Sequence, residues 1–280
     1  MFAVESKLQK IYNKIGFEHM RISSFFIPFL ALLAGTIGII LRLTELSTVF
    51  DAITGLAQRD AIITLALIAF SALVIFLIIV YAIITAIRYV ASSDFDNAFG
   101  TDSFVYPILY VAVGIVWLIA TVVYYLIRNA WGDMETVDIV FTVFSAISAV
   151  SLMIFAIEVY KNPRRKLISA LSLIPTLFMC FWLILVYREN ASNPVLLSYA
   201  YACLAMVFAA LGFYFTSGFA FGKTAVAKPI VCYFAAIYFC IVTLADDFPM
   251  SIKLIIGAVI FLNLFNLSML LRNLQKKLKT

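Results

Sequence analysis

Apolar and polar positions alternate along this chain on the scale of whole helices. Eight apolar runs, at about 25–43, 61–87, 104–127, 137–159, 167–187, 196–219, 229–245 and 251–271, are separated by short polar stretches. Each is near the roughly 20 residues of helix that cross about 30 Å of hydrocarbon. Inside a bilayer the backbone must satisfy its own hydrogen bonds, so a helix is the form such runs take. The pattern predicts an all-α fold, a polytopic membrane helical bundle with eight transmembrane helices. The second run is the longest, and it would have to tilt or extend past the headgroups. Residues 1–20 differ: Val4, Leu8, Ile11 and Ile15 recur every three or four positions with Lys7, Lys10 and Lys14 between them. That rhythm predicts an amphipathic helix lying on the cytoplasmic membrane surface, or one that docks a partner.

Charge gives these runs a direction. The stretch Tyr160-Lys161-Asn162-Pro163-Arg164-Arg165-Lys166 packs four cations between two apolar runs near the middle of the chain. Positive loops stay in the cytoplasm. With the amino terminus inside, the inner segments hold fifteen of the twenty Lys and Arg, and the outer segments hold only Arg42, Arg59, Arg128, Arg188 and Lys253. Both termini are therefore expected to be cytoplasmic, in a cell membrane such as a bacterial inner membrane. The chain divides into an amino-terminal segment (1–24), a first four-helix half (25–159), the basic loop (160–166), a second four-helix half (167–271) and a basic tail (272–280).

The two halves share short signatures. Phe99-Gly100 precedes Pro107-Ile108 by the same interval that separates Phe221-Gly222 from Pro229-Ile230, and Ile27-Pro28 with Leu30 matches Ile174-Pro175 with Leu177. Arg42 and Glu45 end the first span much as Arg188 and Glu189 end the fifth. Two parallel four-helix repeats are expected, with a cavity between them. Pro28, Pro107, Pro175 and Pro229 each fall near the inner end of a span, and they read as first-turn helix punctuation.

Composition agrees and removes several functions. The chain is 65% hydrophobic and 12% charged with a mean hydropathy of +1.08, against roughly 45–50% and about 25% for soluble domains. Its +5 net charge sits in clusters beside apolar runs, with no polar domain to present it, so no nucleic acid is expected. The partners expected instead are the lipid bilayer and an energy-coupling or signalling subunit at the cytoplasmic basic loops. The first apolar run is followed by another span and reads as a signal anchor. Cys180, Cys203, Cys232 and Cys240 all lie within apolar runs and read as buried hydrophobes without disulfides. His19 is the only histidine and lies outside the spans. Clustered-histidine metal sites and a Ser-His pair within the bundle are thereby excluded, and no cofactor motif is present. An enzymatic role is disfavoured. The Asn190-Ala191-Ser192 triplet matches a glycosylation acceptor by chance composition alone.

Candidate chemistry is sparse. Arg42, Arg128 and Arg188 end outward-running spans, and Asp246-Asp247 ends the seventh. These residues predict either helix-end arginines that favour the dipole or a mouth that grips an anionic group, with the aspartates closing it. Asn263 and Asn266 lie one turn apart near mid-membrane, and Tyr110 shares a face of the third span with Tyr106. They are read as interhelical bonds or as polar contacts to a solute. Ser145, Ser148 and Ser151 line one face of the fourth span and suit close packing or a polar path. Trp117 is expected in the core, and Trp131 and Trp182 in the interfacial aromatic belt. Asp138 is expected to favour its helix amino terminus, and Glu158 to snorkel or pair with Lys161.

The reading this supports is a permease or substrate-capture subunit that admits a small, partly apolar or anionic solute from the outer face. The substrate-binding candidates are Arg42, Arg128, Arg188, Asp246, Asp247, Asn263, Asn266 and Tyr110. The alternatives are a sensor, a lipid-binding module or an assembly partner. Less favoured is an enzyme acting on lipid headgroups through Asp133, Glu135, Asp246 or Asp247.

Overall fold

The computed structural model describes residues 2–50, 58, 61–92, 95–99, 104–132, 134–161, 165–191 and 195–277, with backbone alone for 2–21, 96–97, 159–161, 165–166 and 168–169. The lysines of the amino-terminal segment, the side chains of the basic loop, Asp133 and Ser192 therefore lie outside the described side chains. Eight long helices follow one another: α1 (Phe2–Thr48), α2 (Ile62–Arg88), then, after the short helix α3 (Phe95–Phe99), α4 (Val105–Ala130), α5 (Thr136–Lys161), α6 (Arg165–Glu189), α7 (Ala200–Ala220), α8 (Ala227–Thr243) and α9 (Met250–Arg272). Among the described residues seven are long and apolar enough to cross a membrane, α1 from Ile22 onward, and α8 is a shorter apolar helix. The chain is a multi-pass integral membrane protein. Its only strands among the described residues are β1 (Tyr89–Val90) and β2 (Gln275–Lys276), paired antiparallel with Tyr89 opposite Lys276.

Contacts fix how the helices thread. Near the end of α1, Arg42 bonds Asp246, between α8 and α9, and the Ser198 carbonyl ahead of α7. Those ends share one face, here the Arg42 face. At the opposite end, β1 follows α2 and meets β2 after α9, and Asn273 donates to the Ala98 carbonyl ahead of α4. This is the tail face. Successive long helices thus run alternately up and down, and α8 takes its turn among them despite its 17 residues, about 26 Å of rise.

The centre of the bundle is α8. Every residue from Cys232 to Thr243 is buried, because α1, α2, α7 and α9 all pack on it. Helix α1 reaches it through two glycines. A Cβ at Gly35 would stand within 3.0 Å of three Ile241 atoms, and one at Gly38 would meet Val242 and Tyr238. Without water to drive apolar association, such small residues let backbones approach and gain dispersion contact. On the other side, α4 packs on α5 and α9, α5 on α6, and α6 on α7.

Helix ends follow local chemistry. Gly222 adopts φ 75°, and Lys223 N–H donates to the Gly218 carbonyl while Gly222 N–H donates to Phe219, the double closure that ends a helix in a left-handed residue. The prolines divide into two kinds. Pro107 and Pro229 occupy the third position of α4 and α8, as first-turn residues should, but Pro28 and Pro175 lie inside α1 and α6. Both helices start well before their apolar stretch, so a proline at the start of the span is interior to the helix.

Candidate functional site

Three groups of polar side chains stand out inside the bundle, and each is assembled from different helices.

The first centres on Arg42, which is 0% exposed. Its Nη1 donates to Glu45 Oε2 at 2.7 Å, its Nε to Asp246 Oδ1 at 2.9 Å, and its Nη2 to the Ser198 carbonyl at 3.0 Å. The guanidinium carbon lies 5.2 Å from the Tyr201 ring centre. Glu45 follows Arg42 by three residues, which puts both on one helix face. The expectation of a helix-end arginine that favours the dipole gives way here to a buried one, because two carboxylates and a carbonyl meet it inside. Glu45 Oε1 and Asp246 Oδ2 are also buried but have no hydrogen-bond partner. Burial pushes the Asp246 carboxyl above its ordinary range, with the Arg42 charge opposing and Glu45 adding to the rise.

The second group lines a cavity of about 290 Å³ at the same face, formed by α4, α5, α6 and the start of α9. Arg128 Nη2 donates to Asp138 Oδ2 at 3.0 Å, Tyr124 donates to Asp138 Oδ1 at 2.6 Å, and the Glu135 N–H caps the same carboxylate at 3.1 Å. Asp138 therefore does more than favour its helix amino terminus: it joins α4 to α5. Phe141, Trp182 and Phe248 supply the walls, with Glu189 among the lining residues. Trp182 is buried against Phe141 and Phe178, which corrects its placement in the aromatic belt, while Trp131 is exposed as expected. A tryptophan near a helix end reads the same in either place, and only its neighbours decide.

The third group lies toward the tail face. Tyr110 donates to Asn266 Oδ1 at 2.7 Å, Asn266 Nδ2 to Thr216 Oγ1 at 3.2 Å, and Thr216 meets the Tyr233 hydroxyl at 2.8 Å. One chain of bonds thus joins α4, α9, α7 and α8. Beside it, Phe95, Phe99, Tyr106, Tyr110, Phe155 and Asn266 help enclose a small cavity of about 50 Å³. Asn263 does not join this chain. Its amide donates to the Val259 carbonyl one turn back, and its Oδ1 faces Gly212 without a partner.

Between the two cavities the seam of α4 and α5 is shut. Trp117 is 0% exposed and its Nε1 donates to Ser145 Oγ at 2.9 Å, while Thr121 and Ser145 are 2.7 Å apart. The Trp117 and Phe178 ring centres are 5.7 Å apart. Ser148 and Ser151 bond carbonyls of their own helix.

Known families, curated proteins and solved structures were compared, and this chain matches none.

The predicted site residues are thus distributed rather than gathered. The three arginines share a face, yet each has its own carboxylate: Arg42 with Glu45 and Asp246, Arg128 with Asp138, and Arg188 with Glu135 at 3.8 Å between exposed side chains. Asp247 is exposed beside Asp246. Tyr110 and Asn266 come together as expected. Glu45, Asp138, Trp182 and Glu189 are the residues that sequence reasoning did not count as site residues. The signal for Glu45 was its i, i+3 spacing from Arg42.

Proposed function

We propose that this protein is a permease for a small, partly apolar solute, which enters a crevice between α4, α5 and α9. The observation that carries the reading is the pair of cavities. One opens near each end of the same seam, both bordered by α4, α5 and α9, and the Trp117 and Ser145 contact closes the seam between them. Tyr124 and Tyr110, which mark the two cavities, are fourteen residues apart on α4, or about 21 Å. That span is most of the hydrocarbon thickness. With the tail face in the cytoplasm, as the charge balance predicts, the larger cavity faces outward. Its aromatic walls would hold the apolar part of a solute, and Arg128, Asp138 and Glu189 its polar part.

Thiol labelling tests this. Start from the chain with its four cysteines replaced by alanine, in oriented membrane vesicles. A membrane-impermeant maleimide is expected to label Val186→Cys from the Arg42 face only and Ala156→Cys from the tail face only. Ser145→Cys is expected to be protected from both sides until Trp117→Ala is added. Labelling of both cavity positions from one face, or lasting protection of position 145, defeats the reading.

A second reading, a lipid-binding module, is favoured by one feature. Ser24, Phe29, Leu32, Leu109 and Phe265 help line an apolar cleft of about 470 Å³ between α1, α4 and α9. Phospholipid retained through purification, and lost on Leu109→Trp, would support it.

A further inference from the structure

The Arg42 group carries an unbalanced charge. Glu45 and Asp246 supply two negative charges and Arg42 one positive, so the fully ionised group holds a net charge of −1 where no side chain of the three is more than 9% exposed. An uncompensated charge in such a place is costly, and the usual relief is to gain a proton. Each carboxylate turns one oxygen to the guanidinium, and its other oxygen is buried with nothing bonded to it. The Thr243 and Ser251 hydroxyl oxygens, on the turns just before and after Asp246, are likewise buried without partners. The two carboxylates thus have spare acceptors, and neither has a hydrogen of its own to fill them.

We propose that Asp246 is an exchangeable-proton site, taking a proton from water on Oδ2, and that the connection carrying it reports its protonation to the neighbouring cavity. Between the two carboxylates, Glu45 makes the shorter contact to Arg42 and lies on a spanning helix. Asp246 lies in the connection between α8 and α9, next to exposed Asp247. The groups that act on it are Arg42 and Glu45 from α1 and Lys253 from α9, with Tyr201 from α7 under the guanidinium. Arg42 and Lys253 favour the carboxylate; burial and Glu45 favour the acid and prevail. Two residues beyond Asp246, Phe248 and then Pro249 line the larger cavity. The connection that holds Asp246 therefore runs directly into a cavity wall. The link to solute entry rests on the permease reading; the proton site itself does not.

The sign follows from the raised carboxyl. At Asp246 the folded chain binds more protons than the unfolded one, so this group's contribution to stability grows as pH falls through the folded value and levels off below the ordinary aspartate value of about 3.9.

The test uses the full chain in lipid nanodiscs. Infrared difference spectra on acidification are expected to show a protonated-carboxyl C=O band, sensitive to deuteration and absent in Asp246→Asn. Glu45→Gln removes the like charge, so the band is expected to remain and its midpoint to fall by about one pH unit or more. Trp182 fluorescence, assigned with Trp182→Phe, is expected to titrate with the same midpoint. A band that persists in Asp246→Asn overturns the proposal, as does a midpoint that rises in Glu45→Gln. So does a response to sodium ions in place of pH. If Asp246→Asn does not fold, the direction of the Glu45→Gln shift alone decides. Failure of the thiol-labelling pattern would leave the infrared band in place, so the two readings fail separately.

Discussion

Two buried polar groups stand at opposite ends of the bundle and are finished differently. Toward the tail face, Tyr110, Asn266, Thr216 and Tyr233 form an uncharged chain in which each donates to or accepts from the next. At the Arg42 face the residues are charged, and two carboxylate oxygens have no partner. A satisfied neutral network holds four helices in one arrangement and has little reason to change. A charged group with unfilled acceptors has a place for one more proton. Burial alone therefore does not tell a fastening from a switch; the count of bonds made against bonds possible does.

The largest expected effect comes from removing the one cation. Arg42→Met leaves two buried carboxylates unopposed and should cost about 3–5 kcal/mol, read as a loss of folded fraction in a detergent unfolding titration. A cost below about 1 kcal/mol would mean that no uncompensated charge is left behind when Arg42 goes, and the contrast between the two ends would vanish. Next is the helix crossing that brings Arg42 to Asp246. Gly38→Leu forces α1 off Val242 and Tyr238 and should cost about 1–3 kcal/mol by the same titration, with pH dependence weakened because the ion pair is pulled apart.

Asn266→Leu probes the other end. It strands the Tyr110 hydroxyl and should cost about 1–2 kcal/mol. Unlike changes at the Arg42 face, it should leave the pH dependence of stability unaltered, and a shifted pH profile would show that the ends are coupled. The smallest effect belongs to Arg188→Ala. Its 3.8 Å pair with Glu135 joins two exposed side chains, so the change should stay within about 0.5 kcal/mol, lost in the scatter of a thermal melt.

These differences track what could be read in advance. Apolar runs such as 61–87 and 251–271 announced their helices to within a few residues, Ile62–Arg88 and Met250–Arg272, because hydrocarbon leaves the backbone no alternative, whereas the run 25–43 and the segment 1–20 before it form one continuous helix, Phe2–Thr48. Partnerships were harder. Arg42, Arg128 and Arg188 look identical as helix-end cations, yet one is buried, one lines a cavity and one stands in the open. What separates them is the arrival of Asp246 from 204 positions away and of Asp138 from the next helix, and no local pattern encodes an arrival. Asn263 and Asn266 illustrate the same limit. One turn apart on one helix, they differ because Thr216 stands opposite Asn266 and Gly212 opposite Asn263.

The enclosure of α8 has a consequence for the membrane that hosts it. A helix ringed by other helices owes nothing to bilayer thickness, so its 17 residues need not match the acyl chains around the protein. Helix α2 is in the opposite position, presenting 27 residues to lipid along much of its surface. In thicker or thinner membranes the mismatch strain will fall on α2 and its neighbours at the rim, while the axis of the bundle keeps its depth.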